Sequence, residues 1–175
     1  MDLIKKMKPR YYVIYSLVIV LGIVIDQISK LIVVKFLKPI DDFPLWEGVF
    51  HLNYHENRGA AFGMLADNRW VFIVISTVAI LGMGLYLFFG RANSTLMGIS
   101  MALIISGGIG NMIDRLALEY VVDFLYFKLI DFAIFNIADS FVCIGAALMV
   151  LALILEIVEE SKNSGKKGDK NDVQG

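Results

Sequence analysis

The chain has 175 residues, of which 58% are hydrophobic and 19% charged, with a mean hydropathy of +0.70. Soluble domains average about 45–50% apolar and about 25% charged residues, so a water-soluble globule, a disordered chain, a coiled coil and a disulfide scaffold are all excluded. The formal net charge of −1 gives no global field for nucleic acid, and lipid is left as the solvent for much of the chain.

The first apolar run, Tyr11 to Ile25, continues through Asp26-Gln27-Ile28-Ser29-Lys30 into LIVVKFL. Lys5, Lys6, Lys8 and Arg10 before it give the start the look of a signal peptide, but no small-x-small cleavage site follows. An uncleaved helix is expected. Trp70–Phe89 and Leu96–Ile113 carry no charge, and Phe132–Leu155 carries only Asp139. Each is long enough at about 1.5 Å per residue to cross a hydrocarbon core of about 30 Å. Four transmembrane helices follow.

Four spans put both termini on one side. That side holds the N-terminal basic cluster, Arg91 and Lys162, Lys166, Lys167 and Lys170. The other holds Lys35, Lys38, Arg58, Arg69, Arg115 and Lys128. The dense N-terminal cluster beside a helix predicts cytoplasmic termini. Residues 161–175 are polar and are expected to form a disordered cytoplasmic tail after a single 1–160 domain.

The two outer segments are unlike solvated loops. Within 36–69, Val49–Tyr54 alternates as a short strand does and ENRG reads as a turn. Residues 114–131 are too rich in aliphatic and aromatic side chains for a solvated loop and are expected to lie on the membrane surface or to cover something. On the third helix, Gly98, Ala102, Ser106 and Gly110 form one small-residue ridge that lets helix backbones approach. The Gly107-Gly108-Ile109-Gly110 run lacks the Gly-Lys-Ser/Thr ending of a phosphate loop. Cys143, the lone cysteine, lies in an apolar run and reads as a small buried hydrophobe.

Ionisable groups inside spans are costly and mark candidate sites. Asp26 and Lys30, at i and i+4, share a helix face and fit either a structural ion pair or a direct role. Asn111, Asp114 and Arg115 close the third span, either facing inward together or ending it as a surface pair. Asp123 lies in the second outer segment. Asp139, seven residues past Phe132, is expected about 10 Å along the fourth helix, with Asn136 a turn before it. Both aspartates belong near the outer face, where water is available. Two close carboxylates in a poorly hydrated site share a proton, so one can take a proton from water while the other gives one to a carbonyl. Spacing alone leaves both Asp114 and Asp123 open as the partner of Asp139. His51 and His55 lack the Glu of a HExxH zinc site and fall in a strand segment. No serine has the surroundings of a nucleophile.

Five short motifs occur in order: Asp26-Gln27-x-Ser29-Lys30, Asn57-x-Gly59-Ala60-Ala61-Phe62, Gly110-Asn111-x-x-Asp114-Arg115, Val121-Val122-Asp123-Phe124 and Phe135-Asn136-x-Ala138-Asp139-Ser140. Together they resemble the bacterial lipoprotein signal peptidase (signal peptidase II) family over roughly residues 11–158. The resemblance implies an intramembrane aspartic endopeptidase that removes the signal peptide of prolipoproteins just before a diacylglyceryl-modified cysteine. It implies a membrane all-α fold of four transmembrane helices, an extracytoplasmic β-cradle over about 36–66 and a short interfacial helix over about 120–131. It makes Asp123 and Asp139 the catalytic dyad. Asn57, Gly59, Asn111, Arg115 and Asn136 would bind substrate, and Asp26, Lys30 and Asp114 would support the site. No metal or other cofactor is expected. The implied partners are prolipoprotein signal peptides and membrane lipids, with no nucleic acid, for a monomer in the bacterial cytoplasmic membrane with its active site near the outer face. A small proton-coupled transporter would instead place its carboxylates at mid-membrane and leave 36–69 with little structure. A non-catalytic helical assembly protein would tolerate loss of Asp123.

Overall fold

A computed structural model describes residues 9–59, 69–89 and 94–172. Ala60, Ala61 and Phe62 of the second motif, the 60–66 part of the expected cradle, Arg91 and the N-terminal lysines lie outside the described residues. In chain order the elements are α1 (Pro9–Phe36), β1 (Asp42–Trp46), β2 (Phe50–Asn57), α2 (Arg69–Phe89), α3 (Thr95–Ala117), β3 (Val121–Tyr126), a 3₁₀ turn (Lys128–Ile130) and α4 (Ile137–Asp172). Among the described residues, four segments are long and apolar enough to cross a membrane: Arg10–Phe36, Trp70–Phe89, Thr95–Ala117 and Ile137–Lys162. Large apolar side chains such as Val13, Leu17, Leu31, Val74, Val78, Leu85 and Ile157 stand exposed along them. In water such a surface would aggregate, whereas in lipid it is solvated.

α3 is the central helix. Its most apolar window is 56% buried, against 22% for α1, 6% for α2 and 11% for α4, and the other three helices pack on it. The small-residue ridge explains how. Ala102 and Ser106 are fully buried, and Gly98 lies directly against Tyr15 of α1. A Cβ added at Gly110 would stand 2.5 Å from Asp26 Oδ2. On its other side α3 meets α4 where Gly107 lies against the Ala138 carbonyl. Ser94 caps the start of α3, its Oγ accepting the Met97 N–H at 3.1 Å. Tyr15, Leu87, Met97, Met101, Ala102, Ile105 and Ala152 form the core at the same end of the bundle. Cys143 is exposed on α4, so its expected burial is corrected: the residue faces lipid, where a thiol needs no partner.

At the other end stands a three-stranded antiparallel sheet in the order β1-β2-β3. Gly48, at φ 71°, makes the β1–β2 turn, with the Val49 N–H bonding the Trp46 carbonyl at 2.9 Å. His51 is buried in this hairpin, its Nδ1 2.9 Å from Asp42 Oδ2 and its Nε2 accepting the Gly48 N–H at 3.2 Å. Pro44 fits because β1 is an edge strand. Val33 and Leu37 of α1 pack against Val122 and Phe124 and seat the sheet on the bundle.

Two expectations are corrected. Residues 120–131 contain no interfacial helix. They form β3 followed by one 3₁₀ turn. The β-branched and aromatic residues of VVDFLY find the free edge of β2, and pairing there satisfies backbone groups that a surface helix would have satisfied internally. The tail also differs, since α4 continues to Asp172 rather than giving way to disorder at 161. Extending an existing helix adds a hydrogen bond per residue fixed without a new nucleus, and no proline interrupts this stretch.

Candidate active site

The site forms where the sheet meets the ends of α1, α3 and α4. Its geometry starts with the cap of α4. Asn136 is the N-cap, and Asp139 is the third helical residue. Asn136 Oδ1 accepts the Asp139 N–H at 2.9 Å, and Asp139 Oδ2 accepts the Asn136 N–H at 3.1 Å. This is a reciprocal capping box. It explains the spacing of the Phe135-Asn136-x-Ala138-Asp139 motif and corrects the expected depth of Asp139, which lies in the first turn of α4 rather than farther along it. The chain reaches this cap by doubling back on β3, where Leu125 and Phe135 exchange backbone hydrogen bonds of 2.8 and 3.1 Å. Asp123 is thereby brought beside Asn136.

Asp123 is only 1% exposed. Its Oδ1 accepts from Asn136 Nδ2 at 2.6 Å and its Oδ2 from Asn57 Nδ2 at 2.8 Å. Asn136 Nδ2 also donates to Asn111 Oδ1 at 3.0 Å, and Asn111 Nδ2 donates to Asp139 Oδ1 at 2.8 Å. The two aspartates are therefore joined through the amides of Asn111 and Asn136. Burial, and after it the nearby charge of Asp139, push the Asp123 carboxyl up to about 7, against the opposing hydrogen bonds of Asn57 and Asn136. A carboxyl in that range holds or releases a proton near neutrality.

The remaining candidates converge on the same place. Asn57 Oδ1 accepts the Gly59 N–H at 2.9 Å, and Arg115 Nη2 donates to the Gly59 carbonyl at 3.3 Å. The Arg115 guanidinium also lies 5.0 Å from the centre of the Phe72 ring on α2, and its charge acts on Asp139, Asp123 and Asp114. Behind the pair, Lys30 is bonded to Asp26 and Asp114, both at 2.9 Å. Arg58 turns away, 3.8 Å from Glu56 and over the Tyr120 ring. An ordered sheet across part of 36–69 and an aspartate at the start of α4 are the reverse of the transporter arrangement.

Two residues that the sequence reading did not place at the site lie beside it. Gln27 Nε2 bonds Asp26 Oδ2, the Gly110 carbonyl and Asp114 Oδ1 at 3.1, 3.2 and 3.0 Å. Its neighbour Asp26 was the available signal, because a polar amide beside a buried acid needs a partner too. His55 pairs in register with Asp123, so both stand on the sheet face that carries Asn57, and the period of two from His55 to Asn57 carried that information.

A carboxylate pair joined by amide donors, at the end of helices apolar enough to span a bilayer, has the make-up of a membrane-embedded aspartic hydrolase. The profile of the family described as signal peptidase (SPase) II matches residues 18–155. A lipoprotein signal peptidase of Clostridium tetani is 46% identical over 143 residues, covering 80% of this chain and 92% of its own length. One of Clostridioides difficile is 42% identical, covering 81% and 95%. Among solved structures, a bacterial membrane enzyme determined by the in meso method at 2.3 Å resolution superposes with a TM-score of 0.74 at 31% identity, covering 82% of this chain and 88% of that one. This chain belongs to the signal peptidase II family. It is an aspartic endopeptidase of membranes.

Proposed function

We propose that Asp123 and Asp139 are the catalytic pair with which this peptidase removes signal peptides from diacylglyceryl-modified prolipoproteins, cutting just before the lipidated cysteine. The observation that carries the assignment is the bridge of Asn136, which bonds Asp123 through its side chain and Asp139 through its cap. Asp114 is turned toward Lys30 and the Val122 N–H, which favours Asp123 as the partner of Asp139.

The pair shares one proton. Water held between the carboxyls loses a proton to the ionised one while its oxygen attacks the scissile carbonyl carbon. The protonated carboxyl gives its proton to the carbonyl oxygen. As the tetrahedral intermediate collapses, the C–N bond breaks, the cysteine nitrogen gains a proton, and the pair returns to a single shared proton. No covalent intermediate forms with the enzyme. Asn57, Asn111 and Arg115 flank the pair with amide and guanidinium donors suited to the backbone carbonyls of an extended substrate, and Gly59 leaves room for that backbone. Asp26, Lys30 and Asp114 support the site from behind. A monomer suffices, since one chain supplies every group named. The termini face the cytoplasm and the site opens near the outer surface, where a lipidated helix can enter from the bilayer.

The test is cleavage of a diacylglyceryl-modified prolipoprotein by purified protein, with Asp123→Asn and Asp139→Asn beside the wild type. Both variants are expected to fold and to lose at least about 10³-fold in rate, since each removes a group that transfers a proton. Full activity in either would sink the assignment. Activity that survives Asp123→Asn but not Asp114→Asn would move the pair to α3.

A further inference from the structure

The Lys30 side chain is 4% exposed, and its ammonium has three donors to satisfy. They meet Asp26 Oδ2, Asp114 Oδ2 and Asn111 Oδ1, each at 2.9 Å. The carboxylates do more than neutralise the cation. Asp114 Oδ2 accepts the Val122 N–H at 3.1 Å, and Asp26 Oδ1 accepts the Ala138 N–H at 3.0 Å. Val122 immediately precedes Asp123, and Ala138 immediately precedes Asp139. Each carboxylate gripped by Lys30 therefore grips the peptide N–H just before one member of the pair. The third arm runs through Asn111. Its Oδ1 takes Lys30 and Asn136, which leaves its Nδ2 to donate to Asp139.

We infer that Lys30 is the positioning residue of this enzyme: one buried ammonium sets the spacing and orientation of Asp123 and Asp139 by way of Asp26, Asp114 and Asn111. The inference rests on reading those two aspartates as the catalytic pair. Without the cation, Asp26 and Asp114 would face each other as buried like charges. Relief comes from moving α1 away from α3, and that movement carries the start of α4 away from β3. Gln27, which bonds both carboxylates, is neutral and cannot replace the charge. A displacement of about 1 Å between reacting groups costs on the order of 100-fold in rate. Among the described residues, the charged and titratable groups around the pair are Asp26 and Lys30 from α1, His55 from β2, and Asp114 and Arg115 from α3. Among them the Lys30 charge favours the ionised form of Asp123, so its removal makes the shared proton harder to lose.

The experiment measures prolipoprotein cleavage by the full-length protein as Lys30→Met and as Lys30→Met/Asp26→Asn. The double variant keeps the net charge of the buried cluster and covers the case in which the single variant fails to fold. Thermal unfolding is recorded alongside, and Asp123→Asn serves as reference. The expected result in both variants is kcat lower on the order of 100-fold with KM within about threefold of the wild type, and in Lys30→Met an alkaline limb of the pH profile displaced to higher pH; in the double variant the limb stays nearer the wild type because a negative charge leaves with the positive one. A merely structural lysine would not move that limb in a folded variant. A folded double variant with wild-type kcat, or a folded Lys30→Met with an unmoved limb, overturns the inference, and so does a rise in KM alone, which would assign Lys30 to substrate binding. If Asp123→Asn itself stays active, the catalytic pair has been misassigned. If it is inactive while the Lys30 variants cleave normally, only the positioning role fails.

Discussion

If Asp123 belongs to the proposed catalytic pair, its raised carboxyl shapes the pH behaviour of both activity and stability. Its carboxyl is raised from 3.8 to about 7, first by burial and then by Asp139. As the proposed catalytic pair, Asp123 and Asp139 would work while they hold one proton, so kcat/KM should fall as pH rises through about 7 and continue falling about tenfold per unit. A profile flat to pH 9 would contradict this. The stability effect has a definite sign. Below pH 4 the folded and unfolded chains both hold the proton. Between 4 and 7 the unfolded chain releases it first, so stability is lost as pH rises through that window and the loss is constant above it. A shift of this size corresponds to something on the order of 4 kcal/mol. Asp123→Asn, which carries no charge to desolvate, should therefore unfold at a higher temperature than the wild type at pH 8, with the difference vanishing toward pH 4. Of the residues behind this behaviour, Asp26, Lys30 and Asp139 were legible as charges inside apolar runs. The position of Asp123 beside Asp139 was not, because it depends on β3 pairing with β2 and on the bridge to Phe135, both long-range contacts that neither spacing nor hydropathy encodes.

At the scale of elements, the approach of α1 to α3 fixes the rear of the site. A Cβ at Gly110 would meet Asp26 Oδ2 at 2.5 Å and the Ala138 Cβ at 3.3 Å. Gly110→Ala should therefore cost about 1–3 kcal/mol, as overpacking does, and should lower cleavage as well by displacing Asp26. Gly82 and Gly84 on α2 have nothing within 4 Å of an added Cβ. Gly82→Ala and Gly84→Ala should leave cleavage unchanged and add about 0.5–1 kcal/mol of helix stability each. Thermal unfolding and a cleavage assay on the three variants check the contrast; equal effects at all three positions would refute it. The ridge that makes Gly110 special was readable at a period of four. The nature of residues 121–126 was not. A short run of Val, Phe, Leu and Tyr suits a surface helix or a strand equally, and what decides is an unpaired β2 edge supplied from another part of the chain. The start of α4 was misplaced for a similar reason: Phe132–Phe135 are as apolar as a span, and only the Asn136–Asp139 box marks where the helix begins.

For the whole molecule, the distribution of charge supports one orientation of the bundle in the membrane. In the proposed orientation, Arg10 at the start of α1 and the lysines late in α4 mark the end away from the sheet, which would meet the cytoplasmic surface under the positive-inside rule. The sheet end, with Trp46 exposed at the hairpin, would then face outward, and a peptidase placed there would meet its substrates after their mature portions have crossed. Single cysteines report this directly once Cys143 is replaced by alanine. In intact cells a membrane-impermeant maleimide should label Glu47→Cys in the hairpin turn and should label Ser161→Cys only after permeabilisation. Both positions are exposed in the fold, so a difference in labelling reflects the side of the membrane rather than burial. The opposite pattern would invert the bundle and put Asp123 and Asp139 on the cytoplasmic side. An endopeptidase oriented that way would meet signal peptides only from the end at which they enter the membrane, and the reading of the sheet as an outer cradle would have to be abandoned.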